Sequence, residues 1–117
     1  MKVSQLVNEL GLLLYSGNGG LERPIKGGYT SDLLSDVMGN AKEGQIWITL
    51  QTHKNVAAIA SLKDLAAVIL VKGNRPDEDT AHHSDAEGVP ILGTQLSAFE
   101  ITGMIYEKLK AYEILQS

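Results

Sequence analysis

No cysteine occurs in the 117 residues, which removes disulfides, thiolate zinc sites and cysteine nucleophiles from consideration. The same absence argues against a disulfide-stapled secreted fold, so a cytoplasmic location is the expectation. Basic charge is also scarce. Ten Lys and Arg stand against fourteen Asp and Glu, the net charge is −4, and no run of Lys and Arg falls on any predicted face. The electrostatic attraction that drives binding to nucleic acids or anionic membranes is therefore missing, and neither partner is expected. No window approaches the ~18 apolar residues of a membrane-spanning helix. The opening Met1-Lys-Val-Ser-Gln-Leu6 has no long apolar core after its lysine, so neither a signal segment nor a membrane span is expected. Two phosphate-binding patterns are absent as well: no G-x-x-x-x-G-K-[ST] exists, and the glycines do not fall in the G-x-G-x-x-G order.

What is present is the composition of an ordinary globule, 44% hydrophobic and 21% charged, at a length suited to one domain spanning residues 1–117. Val3, Leu6, Val7 and Leu10 recur at helical spacing and predict a helix over 4–10, closed by Gly11, before an apolar strand from Leu12 to Tyr15. Ser16-Gly-Asn-Gly-Gly20 reads as a loop, and Pro24 sets up a strand from about Ile25 to Tyr29. Thr30-Ser-Asp32 offers caps for a helix from about Ser31 to Met38, with Leu33, Leu34, Val37 and Met38 expected on its buried face. Ile46 to Leu50 is a strand, and Asn55 to Leu62 a helix that packs Val56, Ile59 and Leu62 among alanines. The unbroken apolar run Ala66 to Val71 predicts the central strand.

Beyond Pro76, the acidic stretch Asp77 to Glu87 suits an exposed helix ended by Gly88, and Val89-Pro-Ile-Leu92 a short strand. Ser97 with Glu100 forms a capping box for a last helix, whose apolar stripe is Phe99, Ile101, Met104, Ile105, Leu109 and Tyr112. Alternation of strands and helices from Leu33 to Tyr112 argues for an α/β fold: a mainly parallel central sheet of about five strands flanked by helices.

In such a sheet, ligands gather at the carboxyl ends of the strands. Gln51-Thr-His-Lys-Asn55 falls there and opens a helix whose free N–H groups could hold an anion. Thr52 and Asn55 read equally well as cap residues for those groups, leaving His53 a surface side chain. Val71-Lys-Gly-Asn-Arg75 follows the next strand and could bring Lys72 and Arg75 to the same mouth as Lys54. The competing reading is two solvated cations on a Gly73-Asn74 turn of positive φ. His82-His83 stands near Asp79 and Asp85, but neighbours on a helix point about 100° apart and do not readily share one ion, so no metal site is expected. Ser31, Asp32, Ser35 and Asp36 sit where a helix dipole favours negative charge, which accounts for their acidity.

Four phrases resemble the DRTGG domain, a regulatory module similar to the N-terminal domain of HPr serine kinase/phosphorylase: Gly28-Tyr-Thr-Ser-Asp-Leu-Leu-Ser-Asp-Val-Met38, Gly44-Gln-Ile-Trp-Ile-Thr49, Val68-Ile-Leu-Val-Lys-Gly-Asn-Arg-Pro76 and Gly88-Val-Pro-Ile-Leu-Gly-Thr94. The family is named for Asp-Arg after one strand and Thr-Gly-Gly after the next. Thr52-His53 stands at the first place here and Val71-Lys72-Gly73 at the second, so only Gly73 keeps its motif residue. The resemblance implies an α/β fold and a homodimer, because such domains occur beside CBS pairs in regulatory pyrophosphatases and inside phosphate acetyltransferases. It also implies the stand-alone form found with iron-only hydrogenase and related redox gene clusters.

The resulting expectation is a non-catalytic regulatory and dimerisation module without a cofactor, sensing a small anion or nucleotide through Thr52, His53, Asn55, Lys72 and Gly73. Trp47, Tyr29 and Met104 are the expected dimer surface. Two rivals remain: an adaptor for a protein partner in a redox or hydrogenase system, using the acidic stretch Asp77 to Glu87, and a small phosphotransferase or hydrolase with His53 as proton shuttle.

Overall fold

The computed structural model describes residues 1–115. The chain runs α1 (Val3–Leu10), β1 (Leu13–Ser16), a 3-10 turn (Asn18–Gly20), β2 (Gly27–Thr30), α2 (Leu34–Asn40), β3 (Gln45–Thr49), α3 (Lys54–Leu62), β4 (Ala67–Leu70), α4 (Glu78–Glu87), β5 (Ile91–Gly93) and α5 (Ala98–Ala111). Five strands form one sheet in the order β1-β5-β4-β3-β2. The strands β2 to β5 are mutually parallel, and β1 closes one edge antiparallel to β5 with a register shift between Leu14 and Ser16.

Period-two alternation divides the core into two layers. Ile46 and Ile48 of β3 and Ala67 and Ile69 of β4 face the helices α1 and α5, meeting Val3, Leu6, Ile101, Ile105 and Leu109. Trp47, Val68 and Leu70 face the other way, against Val37 of α2 and Val56, Ala57 and Ala60 of α3. Ile46, Trp47 and Ile48 of β3 and every position of β4 are buried, on both faces of the sheet, which is why these stretches are continuously apolar rather than alternating. Alanines on α3 let that helix lie close to the sheet, and truncating a fully buried residue such as Ile69 to alanine costs about 2–5 kcal/mol.

Several sequence expectations are corrected by this packing. Leu33 is 64% exposed and Met38 40%, so α2 buries Val37 and its following Ala41 rather than a four-residue stripe. Leu62, Phe99, Met104 and Tyr112 are also exposed. Trp47 is fully buried and donates its indole N–H to the Ser31 carbonyl at 2.8 Å, so it lines no outer surface. Tyr29 is half-buried, with its hydroxyl 2.9 Å from both Asp36 carboxylate oxygens. Hydrogen bonds from Ser31, then Tyr29 and Asn40, hold the Asp36 carboxyl below the usual range. Helix α4 is not simply an exposed acidic helix: Thr80 and Ser84 are buried against the neighbouring elements. The capping box of α5 forms as expected, with Ser97 Oγ accepting from the Glu100 N–H at 3.3 Å.

Candidate functional site

The rim at the carboxyl ends of β2 to β5 is built by four loops, and two of them carry the residues singled out in the sequence. Thr49 of β3 lies beside Leu70 of β4, and the Val71 N–H donates to the Thr49 carbonyl at 3.1 Å, so the segments after these strands leave side by side. They then join. The Thr52 carbonyl accepts from the Asp77 N–H at 3.1 Å and from the Thr80 hydroxyl at 2.7 Å. His53 Nδ1 approaches the Asp77 carboxylate at 3.4 Å, an exposed pair of small energetic value.

Neither Thr52 nor Asn55 caps α3. The N-cap position is His53, and among the described residues no side chain makes a capping hydrogen bond there, so the alternative in which Thr52 and Asn55 cap the helix does not hold. Asn55 is exposed in the first turn and borders an open hollow with Leu34, Ser35, Met38, Ala58 and Ile59. A comparable correction applies to Asp32. Instead of capping α2, its carboxylate accepts from Thr49 Oγ1 at 2.8 Å and the Leu50 N–H at 2.7 Å, while its carbonyl accepts from Gln51 Nε2 at 3.0 Å. Asp32 thus sets where the polar loop leaves β3, a role hidden in the sequence because its partners lie seventeen to nineteen residues away.

Lys72 and Gly73 both have positive φ, 57° and 73°, and the Asn74 N–H returns to the Val71 carbonyl at 3.2 Å. This is a tight turn of the kind that normally recruits Gly or Asn at both central positions. The expectation that Gly73 and Asn74 supply the positive φ is therefore shifted by one residue. Two further bonds brace the turn: Lys72 N–H to the Leu96 carbonyl and Gly73 N–H to the Thr94 carbonyl, each 2.9 Å. A Cβ at Gly73 would come within 2.8 Å of Gln95 Oε1. The Lys72 side chain itself is exposed.

Arg75 does not join that mouth. Its guanidinium lies 5.4 Å from the centroid of the Tyr15 ring, on β1, which is on the opposite side of β4 from β3. The glycine-rich loop serves close packing: a Cβ at Gly17 or Gly20 would run into the carbonyls of Val89 and Gly88. Moreover the Gly17 N–H already binds an anionic group of the protein, the Asp85 carboxylate, at 2.7 Å. His83 Nε2 is 3.9 Å from Glu87, and among the described residues no three His, Asp or Glu side chains converge on a common point.

No protein-family model matches the sequence, nor does any curated protein. Among solved structures, the fold matches a crystal structure of the CBS and DRTGG domains of the regulatory region of Clostridium perfringens pyrophosphatase, complexed with the activator diadenosine tetraphosphate. The TM-score is 0.67 at 13% identity over 85% of the present chain. The fold is DRTGG-like. The chain spans 43% of that longer regulatory region, and the likeness is one of architecture. Among the described residues, no helix is long and apolar enough to cross a membrane.

Proposed function

We propose that this DRTGG-like chain is a non-catalytic regulatory module that forms a homodimer and senses a small anion or nucleotide at the rim of Thr52, His53, Asn55, Lys72 and Gly73. The observation that carries the reading is Lys72. A residue with a full side chain is held at positive φ by three backbone bonds, and the residue before it, Val71, bonds to Thr49 at the head of the segment that leads into α3, whose N-cap His53 makes no side-chain capping bond. Left-handed backbone at a residue other than Gly, Asn or Asp persists where its surroundings over-determine it, and such strain gathers at binding sites. Lys72 supplies the positive charge, and the first N–H groups of α3 supply donors. That the structural neighbour is a regulatory region complexed with a nucleotide activator agrees with this chemistry.

A thermal-shift titration with diadenosine tetraphosphate and ATP tests the reading. Ligand at a hundredfold excess over Kd adds about 2.7 kcal/mol to the native state, which raises the melting temperature by several degrees. Lys72→Ala should remove that rise, and an unchanged rise in the variant would refute the site.

Support for the homodimer comes from the outer face of α5, where Phe99 is 88% and Met104 41% exposed around Gly103. Apolar side chains presented together in this way mark contact surfaces. Sedimentation should give a dimer at micromolar concentration and a monomer for Phe99→Glu. A wild-type monomer would exclude the dimer without touching the ligand site.

A further inference from the structure

A cavity elsewhere in the molecule involves none of the rim residues. Between the free edge of the sheet and α5 lies a cavity of about 230 Å³. Its walls are Ile48 of β3, Ile105, Tyr106 and Leu109 of α5, and the Gly28 position of β2.

The cavity exists because β2 lacks a side chain where one would normally pack. Alternation along β2 places Lys26, Gly28 and Thr30 on the face covered by α5, as the 2.9 Å contact between the Thr30 and Thr102 hydroxyls shows. A Cβ built at Gly28 meets nothing closer than the Ile46 carbonyl at 3.8 Å. Glycine inside a strand weakens it and forfeits packing, and it commonly marks a site where another molecule approaches. Nothing in the backbone demands glycine here, since Gly28 has no positive φ. The size is informative: a dry cavity of roughly 150 Å³ holds benzene, so this one has room for an aromatic ring with a short substituent.

Polarity is distributed in a way that selects the ligand. Most of the lining is aliphatic and aromatic, the Thr30 and Thr102 hydroxyls bond each other, and Gln45 and Lys26 are its other polar side chains. Among the described residues the Lys26 ammonium pairs with Glu43, at 2.7 Å, and such an exposed pair is of small energetic value. We propose that this cavity binds a small amphipathic carboxylate, its apolar body filling the space left by Gly28 between Ile48 and Ile105 and its acidic group pairing with Lys26.

The test uses phenylacetate and its neutral counterpart phenylacetamide, titrated into the 15N-labelled protein. Phenylacetate should shift the amide resonances of Gly28, Thr102 and Tyr106 saturably. Phenylacetamide should bind about fivefold more weakly, the value of one exposed ion pair. Lys26→Gln, at a solvent-exposed position, should erase the difference between the two probes, and Glu43→Gln should tighten phenylacetate by freeing the ammonium. Gly28→Val should abolish the shifts while melting no lower than wild type, because the added methyls enter open space. Absence of saturable shifts below ~10 mM, equal affinity for acid and amide, or shifts that persist in a folded Gly28→Val protein would overturn the proposal. None of these outcomes bears on the rim, which is probed by nucleotides and by Lys72.

Discussion

Lys72 carries a long side chain on a left-handed backbone, the least favourable conformation for an L-residue in this turn. The DRTGG pattern that the sequence resembles has a glycine at this place, and the backbone here keeps the conformation that a glycine would take, φ of 57°, with lysine in it. An L-residue in that region costs about 1–2 kcal/mol. Replacement by glycine relieves this but enlarges the freedom of the unfolded chain by about 0.5–1 kcal/mol. Lys72→Gly should therefore be neutral to about 1 kcal/mol more stable in urea denaturation, and should bind nucleotide more weakly. Lower stability of the variant would mean that Lys72 makes a structural contribution, and the strain argument would fail. Other single residues were misplaced for a different reason. Trp47, an expected dimer-surface residue, sits on a strand covered on both faces, and its one polar atom is satisfied by Ser31. Position within the sheet decided its burial, and position is not a property of the residue.

At the level of the element, the existence and order of strands and helices were legible, while the buried side of several helices was not. In the helical pattern Val3, Leu6, Val7 and Leu10, the first two are fully buried and the other two pack partly against the same core, since period 3.6 maps onto one face of α1. Helix α4 carries almost no apolar signal, and its inner face uses hydroxyls instead: Thr80 to the Thr52 carbonyl at 2.7 Å and Ser84 to Ser16 at 2.6 Å. Hydrophobic periodicity cannot find a face made in this way, since the cost of burial is met by hydrogen bonds to residues far away in sequence. The Ser84–Ser16 pair gives a sharp test. Ser84→Ala should destabilise by about 1–2 kcal/mol because it leaves Ser16 Oγ buried without its partner, whereas adding Ser16→Ala should cost little more. Additive losses in the double-mutant cycle would show that the two hydroxyls are not coupled. The C-terminal helix is held to α1 from outside as well: Glu9 takes the Tyr112 hydroxyl at 2.6 Å and Lys108 Nζ at 3.0 Å, and these bonds keep its carboxyl below the usual range. Such pins follow the packing of the two helices and leave no signature in either segment alone.

On the scale of the whole molecule, alternation of strand and helix is enough to predict a mainly parallel sheet, and the structure has one. The antiparallel placement of β1 beside β5 was not predicted, because a short apolar strand next to a glycine-rich loop says nothing about which edge it joins. The loop's glycines acquire their meaning only when Gly88 and Val89 are brought against them. The sheet order also separates charges that the sequence places together: Arg75 follows Lys72 by three residues, yet it turns to Tyr15 while Lys72 remains beside the β5–α5 loop. At the carboxyl ends of β3 and β4 stand the strained Lys72 turn and the start of α3, which carries the exposed Lys54, and the two segments are joined where the Asp77 N–H donates to the Thr52 carbonyl.

Amide chemical-shift mapping with diadenosine tetraphosphate addresses that rim directly. Binding there should perturb residues 51–55 and 71–74 together, in one saturable transition, and Lys72→Ala should silence both segments. Perturbations confined to one loop, or surviving in the variant, would contradict the account.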